Sequence, residues 1–229
     1  MAACRLVIAD DHPLFRDALR LAVAQIYPDA EIAEADSFDS LRAALEAMAE
    51  IDLVLLDLNM PGMQGFSGLA FLRAQFAAVP VAIISANEEP RSVRLALELG
   101  AIGYIAKSAK PGEIRSALSA LLAGKVWAAT SVDVRRRIED PDAQLAARVA
   151  RLTPQQVRVL MMLSQGLANK QIAHALEVSE ATIKAHVSAV LQKLGADNRT
   201  QAVIVARRLA GDDAADPGSL NRPAGRGLS

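Results

Sequence analysis

The sequence predicts an α/β domain with a five-stranded parallel sheet, followed by a small all-α domain of four helices. Over residues 1–124, five short apolar runs alternate with five amphipathic segments, an order typical of a parallel sheet with helices on both faces. From residue 152 only short helical segments follow. We therefore divide the chain into an α/β domain at 1–124, a linker at 125–150, a helical domain at 151–210 and a disordered tail at 211–229.

The elements of the first domain follow from the spacing of its apolar residues. Short apolar runs predict five strands, at 6–9, 31–35, 53–56, 81–84 and 102–105. Amphipathic stretches predict five helices, near 13–26, 38–49, 66–77, 90–99 and 112–123. Because parallel strands end at one edge of their sheet, the side chains that follow these strands should meet there.

The linker breaks this alternation. It contains three consecutive arginines at 135–137 and the turn signal Asp140-Pro141-Asp142, and an alanine-rich stretch near its end predicts a helix. The arginines could contact DNA, but we favour a solvated linker.

The helical domain has clear helix boundaries. Thr153 followed by Pro154 and Gln156 has the form of a capping box, and Gly166 should end that helix. Ser179 can cap a longer helix that ends at Gly195. We predict four helices, which begin near 154, 170, 180 and 198. The close succession of the second and third is typical of a helix-turn-helix.

The charge is divided unevenly along the chain. Residues 1–124 carry 10 basic and 16 acidic side chains, whereas residues 151–210 carry 8 basic and 3 acidic ones. A basic domain joined to an acidic one favours nucleic acid as a partner, although an ordinary solvated surface can show the same imbalance.

The sequence favours a cytoplasmic protein without a membrane partner. Cys4 is the single cysteine, so an intrachain disulfide is excluded. The apolar run that ends at Ala9 is too short for a signal peptide, and no apolar stretch approaches the length of about 18 residues that a membrane span needs.

Polar residues follow the predicted strands in a pattern that indicates phosphoryl chemistry. Asp10, Asp11 and Asp57 should converge at one edge of the sheet, where their mutual repulsion favours a divalent cation such as Mg²⁺. Ser85 and Lys107 bring a hydroxyl and an ammonium to the same edge, where they could stabilise a phosphoryl group on a carboxylate. Taken singly, each aspartate could be a helix cap and the lysine a solvated charge, but five such groups at one edge favour a common site.

Residues 1–124 resemble receiver domains of two-component systems, which have a flavodoxin-like fold. The resemblance lies in Asp10-Asp11, Asp57 before Met60-Pro61-Gly62-Met63, Ser85-Ala86, and Gly103-Tyr104 before Lys107. It implies that Asp57 accepts a phosphoryl group from a sensor histidine kinase. It further implies that Asp11 binds Mg²⁺ directly, Asp10 mainly through water, and Asn59 through its backbone carbonyl. Ser85 and Lys107 would contact the phosphoryl oxygens, and Tyr104 would be the rotameric switch.

Two details of this resemblance need comment. We prefer Lys107 to Lys110 as the lysine of the family pattern, because Lys107 follows Gly-Tyr at the family spacing. Gln64 stands where many relatives carry aspartate, and we expect little effect on the chemistry.

Residues 151–209 resemble the LuxR-type domain of NarL/FixJ-class regulators. The matching segments are Leu152-Thr153-Pro154, Gly166 to Ala173, Val178 to Val187, and Lys193-Leu194-Gly195. The resemblance implies binding to double-stranded DNA, with the third helix in the major groove. Our candidate DNA contacts are Lys170, Thr182, Lys184, Ala185, Ser188 and Lys193, of which Lys193 should meet phosphate.

Two departures from the LuxR-type pattern affect these assignments. Gln156 stands where relatives usually carry glutamate, so a salt bridge made there in relatives is in doubt. Ser188 stands where some relatives have a basic residue, which leaves Lys184 and Ala185 as the best candidates for sequence specificity.

The last helix is expected to pair two copies of the chain. One of its faces carries Ala202, Val205, Ala206 and Leu209, and a second carries Val203 and Ile204. A domain of this size cannot readily bury both, although both could be core. LuxR-type domains pair through this helix, so the resemblance implies a homodimer when the protein is phosphorylated or on DNA.

Three other functions compete with a phosphorylation-controlled transcription regulator. An aspartate-nucleophile phosphatase of the haloacid-dehalogenase kind is disfavoured because Asn59 stands where its second aspartate would be, so we do not expect an enzyme. A receiver that acts only through protein contacts is disfavoured by the intact motif from Lys170 to Lys193. A phosphorylation-independent regulator usually has gaps in the acidic site, and here the acidic residues are complete.

Overall fold

The computed structural model describes residues 4–128 and 141–209. The first part contains strands β1 (Arg5–Ala9), β2 (Glu31–Ala35), β3 (Leu53–Asp57), β4 (Asn59–Met60), β5 (Met63–Gln64), β6 (Val81–Ser85) and β7 (Gly103–Ala106), with helices α1 (Pro13–Ile26), α2 (Phe38–Ala47), α3 (Ser67–Gln75), α4 (Pro90–Glu98) and α5 (Pro111–Leu122). The second part contains α6 (Pro141–Val149), α7 (Pro154–Ser164), α8 (Asn169–Ala175), α9 (Glu180–Leu194) and α10 (Arg199–Leu209). The predicted tail and the three linker arginines lie outside the described residues.

The predicted parallel sheet is confirmed. Its five strands are ordered β2-β1-β3-β6-β7, and every neighbouring pair is parallel. The chain changes direction across the sheet between β1 and β3, so the carboxyl ends of these two strands border the crevice where open α/β sheets place their sites.

Helices cover both faces of this sheet because its strands are apolar on both sides. Leu6 and Ile8 of β1 belong to a core with α1 and α5, whereas Val7 and Ala9 belong to a core with α2, α3 and α4. All five residues of β3 are buried, which is the burial expected of a central parallel strand.

A two-stranded hairpin of β4 and β5 follows the central strand and was not predicted. Its turn consists of Pro61 and Gly62, and the backbone of Gly62 is left-handed at φ +87°, a conformation that glycine adopts without strain. Two strands of two residues each are too short to produce a periodic signal in the sequence.

Both described ends of the predicted linker are part of the fold. Trp127 donates its amide to the Ile102 carbonyl at 3.1 Å and accepts the Tyr104 amide at 2.8 Å, so it extends the edge of the sheet beside β7. Helix α6 packs against α4 of the first domain and α9 of the second.

The helical domain begins and ends its helices at the predicted signals. Thr153 accepts the Gln156 amide at 3.4 Å, and Ser179 accepts the Thr182 amide at 3.0 Å, so each caps the helix that follows. Gly195, with φ +64°, ends α9. Val159, Leu163, Ile172, Ala173 and Ile183 form a separate small core that fixes α7, α8 and α9.

The two domains share an apolar contact, which we call the domain interface. Buried residues of α7, including Val157, Leu160 and Met161, belong to the same cluster as Leu69 and Ala70 of α3.

Two polar contacts also join the first domain to helices of the second part of the chain. The Leu209 carbonyl at the end of α10 accepts the Phe66 amide at 2.6 Å. Arg91 of α4 makes a bidentate pair with Asp142 of α6, at 2.7 and 2.8 Å. The two parts of the chain are therefore joined by apolar packing, by a backbone hydrogen bond and by an ion pair.

The domain interface covers one of the two faces predicted for α10. Ala202, Ala206 and Leu209 are buried within the chain, so this face is not free for a second copy in this arrangement. Val203 and Ile204 are only partly buried. The sequence of α10 alone left open which face is covered, and in the structure α7, α9 and the first domain cover the first one.

Gly103→Ala should destabilise the first domain. A Cβ atom there would lie 2.6 Å from Leu121 Cδ2 and 3.1 Å from the Trp127 carbonyl oxygen, so overpacking should cost about 1–3 kcal/mol in the free energy of unfolding. The control is Gly112→Ala, whose Cβ would meet only Arg115, at 3.8 Å. Urea titration of both variants tests this, and equal midpoints would contradict the packing described for β7.

Candidate functional site

The predicted acidic site is assembled at the carboxyl edge of the sheet. Asp57 ends β3, Ser85 ends β6, and Asp10 and Lys107 directly follow β1 and β7. Lys107 Nζ lies 2.7 Å from Asp10 Oδ2 and 2.9 Å from Asp57 Oδ2. Asp10, Asp57 and Ser85 are all buried, so the site holds two carboxylates and one ammonium largely away from water.

Burial and charge oppose each other at this edge. Burial raises the pKa of Asp57 above its usual value, and the nearby Lys107 ammonium reduces that rise without cancelling it. Burial lowers the pKa of Lys107, but the Asp10 and Asp57 carboxylates outweigh that effect and raise it above its usual value. Lys107 therefore stays charged while Asp57 is held in an environment that disfavours additional negative charge.

The acidic cluster fits a hard divalent cation. Oxygens of Asp10, Asp11 and Asp57 and a ring nitrogen of His12 lie within 4.8 Å of one another. Asp10 Oδ2 is buried, and its close polar contact within the described residues is the Lys107 ammonium at 2.7 Å. A buried carboxylate oxygen with unused acceptor capacity is suited to Mg²⁺, which prefers few protein oxygens and completes its shell with water.

His12 belongs to this cluster and was missed from the sequence. Its Nδ1 atom lies 2.6 Å from Asp11 Oδ1 and 3.1 Å from Asp10 Oδ1, so the ring contacts both carboxylates. The signal was its position next to Asp10-Asp11, but a histidine there could equally have been a solvated residue before α1.

A solvent-open cleft of about 850 Å³ gives access to Asp57. Its walls come from α1, the β3–β4 junction, the loop after β6 and the end of β7. The lining residues are His12, Leu14, Phe15, Asp57, Asn59, Ser85, Ala86, Asn87 and Lys107. Lys110 instead precedes α5, where its amide donates to Glu113, so the structure brings Lys107 and not Lys110 to the acidic residues.

Tyr104 lies between the acidic site and the loop that leads to α4. Its ring is buried, and its hydroxyl donates to the Asn87 carbonyl at 2.5 Å. The Asn87 amide in turn donates to Ser85 Oγ at 3.1 Å. Burial raises the pKa of Tyr104, so its hydroxyl remains a donor. Hydrogen bonds thus connect Tyr104, Asn87 and Ser85, and they hold the loop that leads from the end of β6 to α4.

The exposed face of α9 contains most of the candidate DNA contacts. Thr182, Lys184, Ala185 and Ser188 are exposed, and the first domain does not cover them. Lys184 is 66% exposed and pairs with Glu180 at 3.3 Å, a surface contact worth at most about 1 kcal/mol. Lys170, in the first turn of α8, is also exposed.

Lys193 has a different environment from the other candidates. It is half-buried, and its Nζ atom donates to Gln156 Oε1 at 2.8 Å. The same Gln156 oxygen accepts the Thr153 amide at 3.0 Å and so completes the capping box of α7. Gln156, which stands where relatives usually carry glutamate, therefore contacts Lys193 through a hydrogen bond. The phosphate contact assigned to Lys193 remains a prediction, and it would compete with this bond.

Two family profiles match the chain. The response regulator receiver domain matches residues 6–119. The bacterial regulatory proteins of the luxR family match residues 150–206. Within the described residues, no helix is both long and apolar enough to cross a bilayer.

Curated relatives match nearly the whole chain. The glycerol metabolism activator of Pseudomonas putida is 39% identical over 208 residues, which cover 88% of this chain and 94% of that protein. The nitrate/nitrite response regulator proteins NarP and NarL of Escherichia coli are 33% and 30% identical, and each alignment covers 93% of the relative and 88% and 87% of this chain.

Solved structures share the fold. A structure of two RcsB dimers bound to two parallel DNAs is 24% identical with a TM-score of 0.54, and the match covers 92% of this chain and 99% of that one. A structure of the RcsB response regulator of Salmonella typhimurium is also 24% identical, with a TM-score of 0.53, and the match covers 91% of this chain and 100% of that one. With both domain profiles matched in order and relatives aligned over nearly their whole length, the chain belongs to the NarL/FixJ class of response regulators, transcription regulators that join a receiver domain to a LuxR-type DNA-binding domain.

Proposed function

We propose that Asp57 is the phosphoryl acceptor of this regulator and that its phosphorylation controls DNA binding by the LuxR-type domain. The observation that carries the proposal is the contact of Lys107 with both Asp10 and Asp57 at the mouth of an open cleft. Asp57 is the carboxylate at the end of the central strand, with the acidic pair on the neighbouring strand.

The transfer step requires little covalent chemistry from the protein. An Asp57 oxygen forms a bond to phosphorus while the bond between phosphorus and the imidazole nitrogen of a kinase phosphohistidine breaks. The imidazole leaves, and an aspartyl phosphate remains. Lys107, already 2.9 Å from Asp57, would neutralise a phosphoryl oxygen, and the Ser85 hydroxyl would donate to another.

Mg²⁺ would be held by Asp10, Asp11 and Asp57 with the Asn59 carbonyl, and it would neutralise charge on the transferring phosphoryl group. His12 contacts both acidic residues and would turn aside to admit the ion. A phosphatase of the haloacid-dehalogenase kind remains disfavoured, because Asn59 supplies no carboxylate for acid–base catalysis.

DNA binding is assigned to the exposed face of α9. Thr182, Lys184 and Ala185 lie in its first half, and Ser188 lies one turn further on, which is the part that enters the major groove in helix-turn-helix domains. Lys170 is placed to meet backbone phosphate, which adds affinity without sequence information.

The domain interface would be the switched element. It buries one face of α10, so a dimer that uses this face needs the domains to separate first. Tyr104, Asn87 and Ser85 connect the acidic site to the start of α4, and α4 holds α6 through Arg91 and Asp142. Phosphorylation would shift an existing equilibrium from this closed arrangement to an open one. The open form would then pair on DNA with half-sites about one helical turn apart.

Asp57→Ala should abolish labelling by a small phosphodonor in the presence of Mg²⁺. Asp57→Ala lacks the attacking carboxylate. Asp11→Asn keeps this carboxylate but loses a metal ligand, so added Mg²⁺ should increase its labelling much less than that of wild type. Phosphoprotein gels or intact-mass spectrometry measure the label. Equal labelling of wild type and Asp57→Ala would refute the assignment, and full labelling of the wild type in chelator would refute the role of the metal.

Lys184→Ala should weaken binding to the specific DNA site more than binding to random DNA. A lost contact to a base edge costs about 1–3 kcal/mol, whereas a lost phosphate contact at Lys170→Ala should lower the salt slope by roughly one unit on either DNA. Lys125→Ala, an exposed lysine outside the helical domain, is the matched control. Titration of labelled duplexes at several salt concentrations tests this; unchanged specificity in Lys184→Ala would mean that α9 is wrongly assigned.

A further inference from the structure

A second large cleft lies between the two domains, away from the acidic site. It has a volume of about 880 Å³, and we call it the arginine cleft. The first domain contributes Phe38, Asp39, Arg42 and Gly62, and the helical domain contributes Arg158, Met161, Met162, Gln165 and Ala175. Because each domain supplies one arginine, the cleft in this form exists only while the domains are in contact.

The two arginines of this cleft lack close acidic partners. Within the described residues, neither Arg42 nor Arg158 makes a salt bridge. Arg42 Nε is buried and has no hydrogen-bond partner there. A buried guanidinium N–H without an acceptor costs free energy that a suitable acceptor would recover.

The charges of the arginine cleft do not cancel. Burial lowers the pKa of Arg158, and the positive charge of Arg42 lowers it further. Asp39 and Glu46 oppose this shift without reversing it. Asp39 is exposed and is the single acidic residue of the lining, against two arginines, so the lining itself has an excess of positive charge.

We propose that the arginine cleft binds a phosphate group, with Arg42 and Arg158 as its two donors. A phosphate has enough oxygens to accept from both guanidinium groups, which recognise it in forked geometry. It would accept from the guanidinium groups of both arginines and offset the repulsion between them. The source can be inorganic phosphate or the phosphoryl group of a small metabolite, since both have the same anionic head.

A ligand that joins Arg42 to Arg158 binds the closed arrangement only. It would therefore stabilise the domain interface and oppose DNA binding, as a second input beside phosphorylation of Asp57. This consequence rests on the proposed function, whereas the binding site itself does not. A ligand shifts the equilibrium only by its difference in affinity between the two arrangements, and here one arrangement lacks half of the site.

The site is tested by calorimetric titration of the full chain with inorganic phosphate and, separately, with glucose 6-phosphate. Both titrations contain chelator, and chloride keeps the ionic strength constant. Arg42→Gln and Arg158→Gln should each weaken binding at least about tenfold, which corresponds to about 1.4 kcal/mol. Arg151→Gln removes an exposed arginine of the helical domain outside the cleft and should bind like wild type. Circular dichroism checks that each variant is folded.

The outcomes separate the two sources and the two proposals. Tighter binding of inorganic phosphate identifies the free ion, and tighter binding of the sugar phosphate identifies a metabolite. Equal affinity in wild type, Arg42→Gln and Arg158→Gln, or no binding by folded wild type, overturns the site. The same anion should then weaken DNA binding by wild type but not by Arg42→Gln. Calorimetric binding without this effect overturns only the regulatory consequence, and absence of DNA binding in all conditions would count against the proposed function alone.

Discussion

Two buried carboxylates share one lysine at the carboxyl edge of the sheet, and this charge balance constrains the whole receiver domain. Lys107 contacts Asp10 and Asp57 at 2.7 and 2.9 Å, so one positive charge faces two negative ones. Buried charge is costly unless it is compensated. One negative charge of the two carboxylates remains uncompensated by Lys107, which explains why the site suits a cation. A phosphoryl group would change this balance, because it brings further negative charge to the same lysine.

A change of charge at the acidic site can influence the helical domain because a chain of contacts joins the site to α4 and α4 to α6. Asn87 is held by Tyr104 and by Ser85, and it lies in the short loop that leads to α4. Arg91 of α4 then pairs with Asp142, which is 5% exposed. Arg91 lies on α4 and Asp142 on α6, so a shift of α4 would break this ion pair unless α6 moved with it. Arg42 and Arg158 of the arginine cleft come from different domains and repel each other, so this repulsion weakens the closed arrangement.

The sequence predicted the elements better than their arrangement. Apolar runs such as Leu53 to Leu56 identify strands because both sheet faces are buried, and Ser179 and Gly195 mark the ends of α9 through local chemistry. The hairpin around Gly62 was missed because it is too short for periodicity. The hydrogen bond of Lys193 to Gln156 joins residues 37 positions apart, which no local pattern reports.

The domain interface was also missed, although α7 carried a signal for it. Val157 and Leu160 lie on one side of α7 and Val159 on another, so the helix needed a second apolar partner.

The amide of Phe66, which donates across the interface to the Leu209 carbonyl at 2.6 Å, reports on this contact directly. Hydrogen exchange at this amide, followed by NMR with and without Mg²⁺ and beryllofluoride as the phosphoryl mimic, measures whether the site controls the interface. We predict that the Phe66 amide loses protection when Asp57 carries the mimic while the amides of β3 keep theirs. Unchanged protection of Phe66 at full occupancy of Asp57 would contradict the account.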